Sequence, residues 1–252
     1  MATAELTRAA ELLRGAGEIV VLTGAGLSAP SGLPTYRGAG GMWEDVALLE
    51  AHDVAALPGS VPLLWSVWGP LRATCRDARP NAGHFALSLL GRVLPASVTL
   101  VTQNVDGLQQ RAGDPSTTVN EIHGSLFHSI CLDCGNAYRD DWTPSPGGPA
   151  VPVSPCCGGV ARPGVVLFGE PLAAEPERRA RSACRTADVL LVVGTSGAVT
   201  SATGLVRYAS DYGAECVLIN AEPWAVLSSR PFAVTVLGPA EELLPELVDL
   251  VA

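Results

Sequence analysis

Five short apolar runs without polar alternation punctuate the chain, at 18–23, 97–104, 188–194, 215–220 and 233–238. Runs of this kind, such as EIVVLT and DVLLVVG, are typical of parallel strands that are buried on both faces. Helical spacing of apolar residues occurs at 4–14, 81–92, 173–186, 202–211 and 240–251. The alternation of the two patterns predicts an α/β fold with a doubly wound parallel sheet of the Rossmann type.

Two regions interrupt this alternation. Residues 36–80 contain three of the five Trp residues and no strand pattern, and residues 127–164 contain four of the seven Cys residues. We expect these regions to form a smaller lobe, made of a helical insert and a Cys-rich module. The larger domain would then comprise 1–35, 81–126 and 165–252. A cleft between two such lobes is a natural place for a ligand.

Composition and charge narrow the range of partners. The chain of 252 residues has a net charge of −9, and all 16 basic residues are Arg. Because there is no basic run, neither nucleic acid nor an anionic membrane is expected as a partner. The N-terminal segment is amphipathic and acidic, unlike a secretory signal, and the apolar runs are too short to cross a bilayer. We therefore expect a cytoplasmic monomer whose thiols are reduced or bind metal.

A glycine-rich turn follows the first predicted strand. The stretch from Gly24 to Ala29 has the pattern G-x-G-x-x-A. Small residues there let the backbone approach a pyrophosphate, whose charge is met by N–H groups at the start of a helix. The pattern alone is weakly specific, and its place after the first strand strengthens it. Glycine and proline continue as far as Gly41, so the segment is longer than a simple phosphate turn.

The acidic residue that usually holds the ribose is missing from its usual place. Glu44 and Asp45 have the required spacing of about 20 residues but lie in the strandless region. Asn220 and Glu222 follow a later strand, and the sequence GTS at 194–196 follows another, so these positions are candidates instead. Each of them is equally typical of an ordinary turn at the end of a strand.

Further polar side chains follow the second apolar run. Gln103, Asn104 and Asp106 lie beyond a predicted strand, where ligands usually bind in an open α/β sheet. His123 lies in the stretch EIHGS. A single His is more often structural than catalytic, but its small and polar neighbours favour acid–base chemistry near neutral pH.

Taken together, these motifs resemble those of the sirtuin family. GAGLSAPSGLPTYRG, TQNVDGL, EIHGS, a C-x2-C followed by CGG, RPGVVLFGE, GTSG and INAEP occur in the order seen in sirtuins, from about residue 18 to residue 248. The resemblance implies an NAD-dependent deacylase that acts on acyl-lysine in proteins or peptides and consumes NAD as a co-substrate. The long glycine-rich segment would be the loop that closes on NAD and lets nicotinamide leave.

The resemblance also implies roles for individual residues. His123 would be the general base on a ribose hydroxyl, with Asn104 beside the nicotinamide ribose. The acyl oxygen would attack the anomeric carbon, and the products would be lysine, nicotinamide and O-acyl-ADP-ribose. Contacts with NAD are implied for Gly24, Ala25, Gly26, Ser28, Tyr36, Arg37, Gln103, Asn104, Val105, Asp106, Gly194, Thr195, Ser196, Asn220, Glu222 and Ala240. A substrate peptide would be added as a strand along the backbone of Val165, Val166, Phe168 and Gly169.

The Cys residues depart from the family's zinc pattern. Cys131, Cys134 and Cys157 match it, but Ser154 stands where a fourth Cys is usual. A structural zinc ion needs four ligands. The sequence leaves three alternatives open: a site completed by the adjacent Cys156, a site completed by His128 or water, and no metal at all.

The helical insert also departs from the sirtuin class that the glycine-rich motif resembles most. That class prefers acidic acyl groups such as succinyl and holds their carboxylate with Tyr-x-x-Arg. Here Trp68 and Leu71 occupy those two positions, and Arg72 would point roughly 100° further round the helix. Pro70 is expected to disturb the helix. We therefore predict weak removal of succinyl and a preference for acetyl or longer apolar acyl groups.

Other classes of protein remain as alternatives. An NAD-dependent protein ADP-ribosyltransferase or an NAD glycohydrolase would keep the NAD site and change the acceptor. A non-enzymatic NAD sensor is disfavoured because Gln103, Asn104, Asp106 and His123 are all present. A dehydrogenase that transfers hydride fits poorly, because the ribose acid is absent from its strand and the glycine-rich segment is too long.

Overall fold

The computed structural model describes residues 3–36, 41–113, 118–144, 150–224 and 231–252. Its strands are β1 (Glu18–Thr23), β2 (Ser97–Thr102), β3 (Val119–Glu121), β4 (Gly124–Cys131), β5 (Ala137–Arg139), β6 (Ala161–Val165), β7 (Val189–Val193), β8 (Glu215–Asn220) and β9 (Phe232–Leu237). Its α-helices are α1 (Ala4–Gly15), α2 (Val46–Ala51), α3 (Val61–Asp77), α4 (Ala82–Val93), α5 (Leu108–Ala112), α6 (Ala174–Thr186), α7 (Thr200–Asp211) and α8 (Ala240–Val251).

The predicted strands and helices are confirmed, with ends that differ by no more than two residues. The pattern does not predict β3, because only three residues form it and the last of them is Glu121. Pro70 does not end the helix, since α3 continues through it from Val61 to Asp77.

Six parallel strands form the main sheet in the order β3-β2-β1-β7-β8-β9. Strand β1 lies in the middle, with Val21 opposite Leu100 of β2 and Leu191 of β7. From β1 the chain builds the sheet outwards to β3, and it then resumes on the other side with β7. Ligands of doubly wound sheets bind at the carboxyl ends of the strands where this order reverses. In this protein that switch point lies between β1 and β7.

Alternate side chains of the central strands enter two different cores. Ile19 and Val21 pack with α1, α4 and α8 on one face of the sheet. Val20 and Leu22 pack with α6 and α7 on the other face. Both faces of the strands are therefore apolar, which explains the runs without polar alternation.

A second, antiparallel sheet has the order β5-β4-β6. Helix α3 packs against β4 and β6, and Trp65 donates its indole N–H to the Ala161 carbonyl at 2.8 Å. The helical insert and the Cys-rich region therefore contact each other, while their exact boundaries as a lobe stay a prediction. Across the described ranges, the helices lack the combination of length and apolar character that a membrane-spanning segment needs.

Candidate active site

The glycine-rich turn after β1 lies directly against the end of β7. The Gly24 N–H donates to the Val193 carbonyl at 3.0 Å, and the Gly26 N–H donates to the Gly194 carbonyl at 2.8 Å. A Cβ atom on Gly24 or Gly26 would lie 2.8 Å or 2.9 Å from the Gly194 carbonyl oxygen. Both positions therefore require glycine, because two backbone segments meet at the switch point of the sheet.

The expected helix start at this turn is wrong. Ala25–Leu27 and Ala29–Ser31 form two short 3-10 turns instead of an α-helix. Pro30 has no N–H with which to continue an α-helical hydrogen-bond ladder from this turn. The Gly26 N–H is already bonded within the protein. It is therefore not available to a pyrophosphate in this arrangement.

A buried network of polar side chains joins this turn to the end of β2. Asn104 donates its amide to the Gly24 carbonyl at 3.0 Å and to the Ser28 hydroxyl at 3.1 Å. Ser28 donates to the Asp106 carboxylate at 2.7 Å. Ser28, Asn104 and Asp106 are each less than 10% exposed. The structure thus brings together three side chains that the sequence analysis singled out from two separate motifs.

These side chains border a cavity at the carboxyl edge of the sheet. Asp106 also accepts a hydrogen bond from the Leu108 N–H at 2.8 Å, and burial raises the pKa of its carboxyl group. The cavity is lined by Ala25, Ser28, Leu33, Pro34, Tyr36, Leu71, Cys75, Asn104 and Asp106. The sequence analysis missed Leu33 and Pro34 of the glycine-rich segment and Cys75 of the insert as lining residues, because none of the three carries a local signal of a site.

His123 lies in the turn between β3 and β4. Its Nε2 atom is 3.0 Å from the Ser201 hydroxyl, near the start of α7. Its carbonyl accepts a hydrogen bond from the Val166 N–H at 2.9 Å. Gly124 follows with a φ of 80°, and a Cβ there would overlap the Gly164 carbonyl. No motif points to Ser201, which reaches His123 only through the fold.

The loop after β7 is hydrogen-bonded to Gln103, which directly follows strand β2. Gln103 donates its amide to the Thr23 carbonyl at 3.2 Å and to the Thr195 hydroxyl at 3.1 Å. Thr195 is buried, whereas Ser196 beside it is exposed. The loop begins at Gly194 with a φ of 60°. These predicted residues therefore lie at the same sheet edge as the glycine-rich turn.

The remaining ribose candidates follow the next strands of the same edge. Asn220 ends β8 and donates its amide to the Glu222 carbonyl at 2.6 Å. Its own carbonyl accepts from the Gly238 N–H at 2.9 Å. Ala240 begins α8, which packs beside the 3-10 turn Ala25–Leu27.

The segment after β6 is already paired within the protein. Phe168 donates its N–H to the His52 carbonyl at 2.8 Å and accepts from the Val54 N–H at 2.9 Å. Val165 lies inside β6. In this arrangement residues 52–54 bond to both backbone groups of Phe168. Strand addition of a peptide along Val165, Val166, Phe168 and Gly169 stays a prediction.

The insert residues at the predicted acyl site are apolar and buried. Trp68 and Leu71 pack in one cluster with Val105 and other side chains around the cavity, and Tyr36 lies 6.0 Å from Trp68 between ring centroids. Arg37 lies outside the described residues.

Arg72 points away from this cluster, as predicted. Its guanidinium is fully buried and donates to the Trp142 carbonyl at 2.8 Å and the His128 carbonyl at 3.1 Å. It also lies 3.4 Å from the Asp140 carboxylate. The guanidinium of Arg72 therefore bonds to the small sheet and to the loop beside it.

Four thiols meet beside the small sheet. The Sγ atoms of Cys131, Cys134, Cys156 and Cys157 all lie within 4.8 Å of one another. Tetrahedral zinc with Zn–S bonds of about 2.3 Å needs sulfur atoms about 3.8 Å apart, so this set fits the ion. Of the alternatives for the fourth ligand, the structure selects Cys156. His128 is not part of the group, because it lies on β4 opposite Arg139.

A doubly wound parallel sheet with glycine-rich turns at its switch point and buried polar side chains at its carboxyl edge is typical of nucleotide-binding proteins. The model of the Sir2 family matches residues 24–201. NAD-dependent protein deacylase 2 of Pyrobaculum aerophilum is 43% identical to this chain, covering 95% of the chain and 93% of the relative. NAD-dependent protein deacylase 1 of Pseudomonas aeruginosa is 42% identical, with 94% and 96% covered. The chain therefore belongs to the Sir2 family, the sirtuins.

Solved structures agree with this assignment. A Sir2 homolog in complex with NAD superimposes with a TM-score of 0.86 at 34% identity, covering 97% of this chain and 93% of that one. A Sir2 protein with a deacetylated p53 peptide and 3′-O-acetyl ADP ribose gives a TM-score of 0.85 at 26% identity, with 97% of each chain covered. The resemblance found in the motifs is therefore confirmed by the fold.

Proposed function

We propose that this chain is an NAD-dependent protein-lysine deacylase that produces nicotinamide and O-acyl-ADP-ribose. The observation that carries the proposal is the buried network of Ser28, Asn104 and Asp106 at the cavity on the carboxyl edge of the sheet, where β1 and β2 end. Its support from relatives is that two of them, 43% and 42% identical, are named NAD-dependent protein deacylases.

The residues at this sheet edge fit NAD. Because Gly24, Gly26 and Gly194 have no side chains, the two backbone segments that contain them lie close together. Polar groups follow the ends of three neighbouring strands. When bound, NAD supplies an anomeric carbon that becomes electrophilic as nicotinamide leaves. We assign its binding to Gly24, Ala25, Gly26, Ser28, Tyr36, Arg37, Gln103, Asn104, Val105, Asp106, Gly194, Thr195, Ser196, Asn220, Glu222 and Ala240.

His123 is our candidate for the general base that takes a proton from a ribose hydroxyl. The Ser201 hydroxyl, 3.0 Å from its Nε2 atom, can donate or accept a hydrogen bond. The Ser201 hydroxyl can therefore stay bonded to Nε2 whether or not that nitrogen carries a proton, and this bond keeps the ring in one orientation. Asn104, whose amide is held by Gly24 and Ser28, would orient the reacting ribose.

The acyl group is proposed to be acetyl or a longer apolar group. A carboxylate beside Trp68 and Leu71 would be buried without Arg72, which is bonded to the Trp142 and His128 carbonyls. An unpaired buried charge is costly. We expect kcat/KM for a succinyl-lysine peptide to be at least about 10-fold below that for the acetyl-lysine peptide. A clear preference for succinyl, measured on the same peptide sequence, would contradict this.

The test of the proposed function is a panel of acyl-lysine peptides incubated with NAD and analysed by mass spectrometry. It includes a sample without peptide and the variant His123→Ala. We expect nicotinamide and O-acyl-ADP-ribose to form only when an acylated peptide is present. The variant should lose this product while still binding NAD, because His123 is assigned to proton transfer.

Two results would replace the proposal with its alternatives. Loss of NAD without any peptide would indicate an NAD glycohydrolase. Transfer of ADP-ribose onto protein would indicate a protein ADP-ribosyltransferase. Both activities use the same NAD site and differ in the acceptor.

We also propose a cytoplasmic monomer with no nucleic-acid or membrane partner. The net charge of −9 supports the absence of an anionic partner. The division into a larger domain of 1–35, 81–126 and 165–252 and a smaller lobe of 36–80 and 127–164 is proposed on the contacts between α3 and the small sheet. Light scattering after gel filtration should give the monomer mass of 26.0 kDa.

A further inference from the structure

A buried hydroxyl group lies beside the four thiols. Ser154, which stands where the sirtuin pattern has a Cys, is 2% exposed. Its Oγ atom is 2.9 Å from the Sγ atom of Cys156. Cys156 itself is exposed, so Ser154 covers one side of a thiol that otherwise faces solvent. The residue that breaks the family pattern therefore still contacts the cluster, through a hydrogen bond.

The backbone of the turn that carries Ser154 fixes this contact. The Ser154 N–H donates to the Gly159 carbonyl at 2.8 Å, and the Ser154 carbonyl accepts from the Gly158 N–H at 3.0 Å. Gly158 has a φ of 76°, a left-handed conformation that favours glycine. The turn closed by these bonds contains Cys156 and Cys157. The position of the hydroxyl relative to both thiols is therefore set by one hydrogen-bonded turn.

The direction of the hydrogen bond follows from the chemistry of a zinc site. A Cys residue binds zinc as a thiolate, which has no proton to donate. When the cluster holds zinc, the Ser154 hydroxyl must therefore be the donor and Cys156 Sγ the acceptor. The charge of four thiolates exceeds that of one divalent ion, and a donated hydrogen bond stabilises the excess negative charge on sulfur.

Donors of this kind control how firmly a site holds its metal. Groups that bond to zinc ligands orient those ligands, and their loss typically lowers metal affinity by about 10–100-fold. Here the donor and the ligand are two residues apart in one turn, and the family pattern has its ligand at the position of the donor. Positions 154 and 156 thus share one coordination position of the zinc site.

We propose that Ser154 is a positioning residue of the zinc site, whose hydroxyl donates to the Cys156 thiolate, holds this ligand in place and slows the loss of the metal. Cys156 supplies the ligand that the family pattern takes from position 154, and Ser154 supplies the hydrogen bond. The inference concerns the Cys-rich region and does not depend on the proposed deacylase activity.

The first test measures how firmly zinc is held. The wild-type protein and Ser154→Ala are loaded with zinc, and its transfer to an excess of a chromophoric chelator is followed by absorbance. We expect Ser154→Ala to bind zinc about 10-fold or more weakly and to release it faster. Ser88→Ala removes a hydrogen-bonded hydroxyl in α4, outside the thiol cluster, and should match the wild type. Equal zinc affinity of Ser154→Ala and the wild type would overturn the proposal.

A spectroscopic measurement separates the hydrogen bond from a merely structural role. Cobalt(II) in place of zinc gives charge-transfer absorption from thiolate to metal, and a hydrogen bond to sulfur raises the energy of this transition by stabilising the sulfur lone pair. We expect the band of Ser154→Ala at longer wavelength than that of the wild type or Ser88→Ala. An unchanged band would contradict donation to a metal ligand. A wild-type protein that takes up no cobalt would overturn the proposal together with the zinc site.

Exchange of the two residues tests whether they share one coordination position. Cys156→Ser alone should lose the metal. The double variant Ser154→Cys, Cys156→Ser should regain it, because a thiol then stands at position 154 and a hydroxyl at position 156. Circular dichroism shows whether each variant is folded, and a folded double variant that binds neither zinc nor cobalt would overturn the shared position. None of these readouts uses peptide deacylation, so failure of the proposed function would leave them unchanged.

Discussion

Gly26 determines how closely the turn after β1 can approach the loop after β7. An added Cβ would lie 2.9 Å from the Gly194 carbonyl oxygen and 3.0 Å from its Cα. Since both neighbours are backbone atoms, Gly26→Ala should separate the two segments, cost about 1–3 kcal/mol of stability and weaken NAD binding about 10-fold or more. Calorimetry of NAD binding and urea denaturation measure the two effects.

The control for this substitution is Gly204→Ala. Gly204 lies inside α7 with no atom within 4 Å of an added Cβ. Alanine is the better helix former there, by about 0.5–1 kcal/mol. Equal NAD affinity in the two variants would show that the contact at Gly26 has no part in the site.

The stability of the protein is expected to depend on pH through the buried carboxyl group of Glu121. Burial raises the pKa of its carboxyl group from 4.5 to about 7. The folded protein therefore favours the protonated form, and this stabilisation is complete below about pH 4.5 and lost as the pH rises through about 7. Glu121→Gln should raise the free energy of unfolding at pH 8 by up to about 3 kcal/mol and change it little at pH 4.

Urea denaturation at both pH values tests this. Glu50→Gln, a change of the same kind at an exposed position, serves as the control for the substitution itself. A Glu121→Gln variant that is less stable than wild type at pH 8 would mean that the charged carboxylate has favourable partners.

At the scale of elements, Arg72 fastens helix α3 to the small sheet. Its buried guanidinium bonds to two backbone carbonyls and lies 3.4 Å from the Asp140 carboxylate. It also stacks 4.7 Å from the Trp65 ring centroid. Arg72→Met should lower the free energy of unfolding by about 3–5 kcal/mol, because the two carbonyls and the Asp140 carboxylate would lose the buried cation to which they bond.

Arg181→Met is the matched control at the surface. Arg181 pairs with Glu177 on α6, and both side chains are more than a third exposed. Pairs of this kind contribute about 0.3–0.5 kcal/mol. Chemical denaturation compares the two variants, and a similar small loss in both would argue against the anchoring role of Arg72.

At the scale of the whole molecule, the four clustered thiols are expected to stabilise the small sheet through a bound zinc ion. One zinc ion per chain is expected in the purified protein, and Cys156→Ser should lose it together with several degrees of Tm. Cys184→Ala and His128→Ala should keep the metal, because neither residue belongs to the cluster. Elemental analysis by mass spectrometry measures the zinc content of the wild-type protein and of each variant. Metal retained in Cys156→Ser but lost in His128→Ala would reverse the choice of the fourth ligand.

The sequence by itself determined the elements and the grouping of the main motifs. Strands buried on both faces must be apolar throughout, so the central strands of the sheet are visible in the pattern. Parallel strands also place their carboxyl ends on one edge of the sheet. This geometry, together with the resemblance of the motifs to the sirtuin family, assigned Ser28, Asn104 and Asp106 to one site before the contacts were known.

Only the tertiary structure decided the contacts between distant segments. Ser201 reaches His123 across 78 residues, and residues 52–54 take up the Phe168 backbone that a peptide was expected to use. Cys156, beside a position where the family pattern is broken, joins the thiol cluster. Such contacts depend on how whole elements pack, and that packing cannot be predicted from local patterns of polarity.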